Sequence, residues 1–298
     1  MSFASRVSVV GPAIAQMLSL TKFPITFMVA MSAAAGFFCS GATIGPDLGF
    51  MVVGVFLLAM GAAVLNQVQD AKIDGMMART ANRPVPSGRI TPRSAAVIAL
   101  AQMMMGSLSL LAISRNGPWV LALGWSAVIW YNGVYYALKR ITAFAAVPGA
   151  LIGAIPPAMG WLSGGGNLLH PLCLSLCAFV FLWQIPHFWL LMLHRANEYH
   201  QARLPVISMV GNRSRFRRIV AIWILAVAAG GMVFPLLMRL NSPEIARWAM
   251  VAVSMGLAVL AFLFFLVAET SNRHIRRTFS AMNGYIFLML LALSLASI

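Results

Sequence analysis

A chain of 298 residues that is 61% hydrophobic and only 9% charged cannot cover the surface of a water-soluble globule, which excludes an ordinary soluble fold. A net charge of +15 invites a nucleic-acid reading, but every Lys and Arg except Arg115, Arg239 and Arg247 falls on one side of an alternating series of loops. That is the positive-inside pattern of a polytopic membrane protein, and it argues for no nucleic-acid partner.

Apolar runs of spanning length lie at roughly 18–40, 47–69, 93–114, 117–136, 143–163, 170–193, 217–238, 246–268 and 279–298. A backbone in lipid must satisfy its own hydrogen bonds, so each run is predicted to be a helix and the fold all-α with nine transmembrane helices. The loop charges place the N-terminus in the cytoplasm. The first fifteen residues hold one Arg and run straight into the first span, without the pattern of a cleavable signal or transit segment. A bacterial inner (cytoplasmic) membrane is the simplest expected location. Neither a soluble domain nor a repeat interrupts the spans, so residues 1–298 read as a single membrane domain. Cys39, Cys173 and Cys177 lie within apolar runs and read as packing residues.

The long polar connections, 70–92 and 194–216, concentrate the chemistry on the cytoplasmic side. At the mouth of the second span, Asn66, Asp70 and Asp74 are spaced i, i+4, i+8. On a helix they drift only about 80 degrees around the axis and share one wall. Oxygen ligands at a bilayer boundary, with no equal number of fixed cations directly opposite, suit a hard cation such as Mg2+; a solvated helix end is the alternative. Arg79, Arg83, Arg89 and Arg93 follow, broken into a turn by Pro84, Pro86 and Gly88. Cations beside a Mg2+ site point to a phosphate, although some of these arginines serve as positive-inside anchors.

The fourth span ends in Tyr131-Asn-Gly-Val-Tyr135-Tyr136-Ala-Leu-Lys139-Arg140-Ile-Thr142. Tyr135 and Lys139 are one turn apart, able to offer a hydroxyl and an ammonium to a leaving oxygen, or else to form an aromatic belt followed by stop-transfer charges. The sixth span carries Trp183-Gln184-Ile-Pro186-His187, then Glu198 at its end. Pro186 predicts a kink, and His187 is expected either to face a cavity below the phosphate site or to be a packed, hydrogen-bonded histidine.

Three segments together resemble the UbiA-type intramembrane prenyltransferases: Asn66-x-x-x-Asp70-x-x-x-Asp74 with Arg79-Thr80-x-x-Arg83-Pro84, Tyr135-x-x-x-Lys139-Arg140-x-Thr142, and Trp183-Gln-x-Pro-His187 with Leu204-Pro205 downstream. The last segment and Ile155-Pro-Pro-x-x-Gly-Trp161 favour the haem-prenylating branch. The resemblance implies helices around a central cavity, a Mg2+ cofactor, and transfer of the farnesyl group of farnesyl diphosphate to a vinyl group of haem B, with water capturing the resulting cation to give haem O. It implies Asn66, Asp70 and Asp74 as the first metal centre and Glu198 as part of a second. Asp70, Asp74, Lys139 and Tyr135 would be catalytic. Arg79, Arg83, Arg140, His187, Gln184 and Trp183 would join Asn66 in binding the two substrates. Membrane lipid and a downstream haem-modifying enzyme or terminal oxidase assembly are the implied partners. The chain departs from the family at Lys72 and Glu198, where an aspartate is usual, and at Arg203, where a small or neutral residue is usual. A quinone precursor as acceptor, or a non-catalytic transporter or haem-handling protein, are the competing readings.

Overall fold

The computed structural model describes residues 11–205, 213–238, 243–266 and 271–297; the N-terminal tail and part of the loop 194–216 lie outside them. Among the described residues every regular element is helical. In chain order these are α1 (Pro12–Leu20), α2 (Phe23–Cys39), α3 (Pro46–Gln69), α4 (Ala71–Gly75), α5 (Pro92–Leu111), α6 (Gly117–Ile129), a π-helical turn (Trp130–Tyr135), α7 (Tyr136–Leu138), a 3-10 turn (Ala143–Ala145), α8 (Ala146–Ser163), α9 (Pro171–His194), α10 (Ala196–Gln201), α11 (Arg213–Leu237), α12 (Glu244–Leu266) and α13 (Asn272–Ser297). Seven of them are long and apolar enough to cross a membrane, and α1 with α2 makes an eighth if that bent pair is one span. This is a multi-pass membrane protein.

Proline sets where many of these helices begin. Pro24, Pro46, Pro92, Pro118 and Pro171 each occupy the first turn of a helix, where the missing N–H has no intrahelical partner to lose. Pro24 also explains why the first apolar run is not one helix. Its ring would clash with the carbonyl four residues back, at Leu20, so α1 stops there and α2 restarts at a 56° angle. Lys22, at the break, takes the left-handed conformation with φ of 51°. Gln67 satisfies two carbonyls freed at the end of α1, donating from Nε2 to Ser19 O at 2.8 Å and Leu20 O at 2.9 Å.

The expected fourth span also departs from a uniform α-helix, since regular geometry stops at Ile129 and continues as the π turn. The Asn132 carbonyl accepts from Gln69 Nε2 at 2.9 Å, so the wide turn is tied laterally to α3. The last helix begins at Asn272, ahead of the apolar run, because Ser271 Oγ accepts from His274 N at 3.4 Å and caps the basic first turn.

Two large apolar clusters and a small third one, formed by Leu20, Val64, Val85, Ala95 and Ala99, make up the interior. One large cluster joins α9, α11, α12 and α13, and the other joins α2, α3, α5 and α6. Helix α8 bridges them by packing its backbone onto α2. A Cβ on Gly160 would stand 1.7 Å from Ala33 O, and one on Gly36 2.0 Å from Pro157 O, so only glycine permits this approach. The seam between the clusters opens at the end of the bundle where α3 and α9 finish.

Candidate functional site

Asp70 interrupts the helix expected to carry the acidic wall, acting as the joint between α3 and the short α4. The i, i+4 register survives the joint. Asp70 N donates to Asn66 O at 2.9 Å and Asp74 N to Asp70 O at 2.8 Å. Asn66, Asp70 and Asp74 are all buried and line one polar cavity with Lys22, Arg79, Arg83, Tyr131, Tyr135, Lys139 and Tyr199. The loop after α4 is held beneath them by buried Thr80, whose hydroxyl donates to Asp74 O at 2.8 Å.

The expectation that the carboxylates lack fixed cations opposite them is corrected here. Lys139 pairs with Asp70 Oδ2, Arg140 lies 3.5 Å from Asp70 Oδ1, and Arg83 meets Asp74 Oδ2 at 2.7 Å. Buried charges require partners, and a neighbouring helix end and a folded-back loop bring them from beyond the helix that the sequence pattern displays. Four cations and two carboxylates line the cavity, leaving it net positive and suited to a polyanion. Burial is the main influence on Lys139 and holds its pKa below that of a free lysine, with Asp70 opposing the shift. Burial likewise lowers the pKa of Arg79, aided by neighbouring Arg83, and raises that of the Tyr199 phenol.

Glu198 sits behind this wall and does not line the cavity. Its carboxylate is shared between Arg195 at 2.9 Å and the cavity-lining Arg79 at 3.5 Å. Among the described residues no three His, Cys, Asp or Glu side chains converge on one point. Mg2+ commonly uses one or two carboxylates plus substrate phosphate oxygens, so such a cluster is not required. The donor set is all oxygen, and Asp70 Oδ1 and Glu198 Oε2 are buried without a hydrogen bond, each having only an arginine ion partner at 3.5 Å. These residues fit a hard divalent cation.

Two residues of the site carried no role in the sequence pattern. Lys22 Nζ donates to Asn66 Oδ1 at 2.7 Å, and Tyr131 OH donates to the same oxygen at 3.1 Å. A lone lysine within the first apolar run was the available signal, because an ionisable group in a span is costly without a purpose.

A second, apolar cavity lies against the first. Lys22, Tyr131, Tyr135 and Phe188 line both, and the remaining wall is mostly Val, Leu, Ala, Ile and Met from α2, α3, α6 and α8, with Gln184 on α9. Tyr131, Tyr135 and Phe188 form a stack, each step 6.0 Å between ring centroids, that separates a charged chamber from a greasy one.

The structure divides the remaining expected residues. Gln184 lines the apolar cavity, whereas Trp183 and His187 turn toward α13 and line neither cavity. Trp183 Nε1 donates to Met282 O at 2.9 Å, and His187 sits 4.6 Å from the Trp183 ring and 4.9 Å from that of Phe279. The cavity-facing expectation for His187 is therefore corrected. Arg140 stacks over the Tyr136 ring at 4.2 Å and reaches the site only through Asp70.

Residues 23–291 match the UbiA prenyltransferase family. The protoheme IX farnesyltransferase of Oleidesulfovibrio alaskensis is 35% identical over 92% of this chain and 93% of its own. That of Geobacter sulfurreducens is 34% identical over 82% of this chain and 85% of its own. Among solved structures, a digeranylgeranylglyceryl phosphate synthase superposes with a TM-score of 0.72 at 14% identity, covering 95% of this chain and 98% of its own. A UbiA homologue from Archaeoglobus fulgidus bound to GPP and Mg2+ superposes at 0.64 and 14% identity, covering 94% and 99%.

Proposed function

Since the chain belongs to the UbiA prenyltransferase family, we propose that it transfers the farnesyl group of farnesyl diphosphate to a vinyl group of haem B, giving haem O, in a Mg2+-dependent reaction. The observation that carries this reading is the pair of cavities meeting at Tyr135 and Phe188. A cation-lined chamber opening into an apolar one matches a substrate with an anionic head and a hydrocarbon tail, and the site where they meet is where the bond between them breaks. The farnesyltransferase relatives supply the acceptor.

Asn66, Asp70 and Asp74 would hold Mg2+, with Glu198 contributing to a second centre once Arg79 turns to the diphosphate. The metal supplies positive charge against the departing oxygens. Lys139, Arg79 and Arg83 exchange their carboxylate partners for phosphate oxygens, so charge developing on the leaving group meets donors already positioned. Tyr135 closes the boundary between chambers and keeps bulk water from the allylic cation. The vinyl group attacks that cation, and water captures the resulting one as a hydroxyl.

We further propose nine crossings, formed by the seven long helices, the bent pair α1 and α2, and the segment of α6 through α7. The N-terminus would then lie in the cytoplasm of a bacterium, the whole chain forming one inner-membrane domain that hands its product to a haem-modifying enzyme or terminal oxidase assembly. Incubation of the purified protein with farnesyl diphosphate, Mg2+ and either haem B or 4-hydroxybenzoate tests the acceptor. Prenylated haem that disappears on chelation is expected; prenylated benzoate without prenylated haem would overturn the assignment.

A further inference from the structure

Gln184 Oε1 is buried with no hydrogen-bond partner, in the wall of a chamber whose lining is otherwise mostly hydrocarbon. Three other polar groups in that wall are engaged. Lys22 and Tyr131 donate to Asn66, and the Thr26 hydroxyl donates to Phe23 O at 3.1 Å. A buried acceptor without a donor is unfavourable, so an amide held this way points to a ligand that completes it. The neighbouring backbone is shaped to admit it. A Cβ on Gly153 would lie 1.8 Å from Gln184 Oε1, so the absence of a side chain there is what lets the amide occupy this position in the wall.

The identity of the missing donor rests on the haem-prenylating reaction. A farnesyl chain has no hydrogen-bonding group, and neither has a vinyl. The C–O bond of farnesyl diphosphate breaks with its electron pair leaving on the diphosphate, and the vinyl π pair forms the new C–C bond from its terminal carbon. Positive charge then rests on the carbon attached to the porphyrin. One water must add its oxygen there and lose a proton, which the released diphosphate accepts. Water is thus needed beside a cation from which bulk solvent has been kept.

We propose that Gln184 is the positioning residue for this water, its amide oxygen accepting one O–H so that an oxygen lone pair faces the adduct cation. The spacing agrees. Gln184 precedes Phe188 by one turn of α9, roughly 6 Å along the helix axis, and Phe188 marks the junction of the chambers. The cationic carbon is two bonds from the farnesyl carbon that leaves the diphosphate, and an attacking oxygen stands about 3 Å further on.

The test is the fate of the adduct in Gln184→Leu, which keeps the shape and removes the acceptor, followed by mass spectrometry of the haem product in 18O-labelled water. In whatever prenylated haem the variant forms, the ratio of 18O-hydroxylated product to the alkene formed by proton loss should fall at least tenfold; Gln184→Glu, which restores an acceptor, should recover the hydroxylated product. Binding of farnesyl diphosphate checks that both variants are folded. A wild-type product ratio in Gln184→Leu, or a weakened haem affinity with an unchanged ratio, would overturn the proposal. Failure of the underlying haem-prenylating reading is separately visible, because the wild-type protein itself would then form no prenylated haem.

Discussion

Replacing Lys139 by Met should change two measurements in opposite directions. In the structure the ammonium pairs with Asp70, and the two side chains are 19% and 10% exposed. As the C–O bond breaks, the diphosphate gains about one unit of negative charge. At about 4 Å and an effective dielectric near 20, one ammonium opposite one added charge is worth roughly 4 kcal/mol. Partial exposure and the neighbouring arginines reduce this to about 2 to 4 kcal/mol, or roughly 30- to 1000-fold in turnover. Lys139→Arg retains the charge and should stay within about tenfold of wild type.

Without diphosphate the same ammonium competes with metal for Asp70. Lys139→Met should therefore bind Mn2+, a paramagnetic probe for the proposed Mg2+ site, more tightly than wild type when no prenyl diphosphate is present. Single-turnover kinetics and electron paramagnetic resonance titration measure the two effects. A turnover loss below about fivefold, or metal affinity falling together with turnover, would refute the assignment of Lys139 to both partners.

The other expectations derive from the same pairing and from the packing beside it. Asp74→Asn removes the anionic oxygen of a proposed metal ligand and the carboxylate partner of Arg83, so farnesyl transfer should drop at least 100-fold on the scale of a lost metal ligand, while the protein stays folded by circular dichroism. Because burial lowers the Lys139 pKa, its ammonium is lost at a lower pH than that of a free lysine as pH rises. Turnover should accordingly decline on the alkaline side earlier in wild type than in Lys139→Arg, and superimposable pH profiles would remove Lys139 as the titrating group. His187→Ala should lower thermal stability by about 1 to 3 kcal/mol through the lost contacts with Trp183 and Phe279. Its farnesyl diphosphate affinity, measured by equilibrium dialysis, should match wild type.

The sequence disclosed as much of this site as a helix preserves. Asn66, Asp70 and Asp74 were legible because an i, i+4 register survives even the joint at Asp70, and Lys139 because it ends an apolar run. Lys22 was marked only by being a charge within an apolar run, and its partner was hidden, since its approach to Asn66 needs a helix break produced by Pro24 and a left-handed backbone that no periodicity announces. Tyr131 was hidden by the π turn, which changes the register that would otherwise say which tyrosine faces the acids. Trp183-Gln-Ile-Pro-His187 reads as one motif in the sequence, but successive residues on a helix are about 100 degrees apart. Trp183 and His187 share the face packed on α13, whereas Gln184 and Phe188, one step around, share the face on the cavity. The histidine draws attention as the group with richer chemistry. Geometry gives the wall of the apolar chamber to the amide, and on the proposed reaction substitutions at 184, not 187, are the ones that should alter what the enzyme makes.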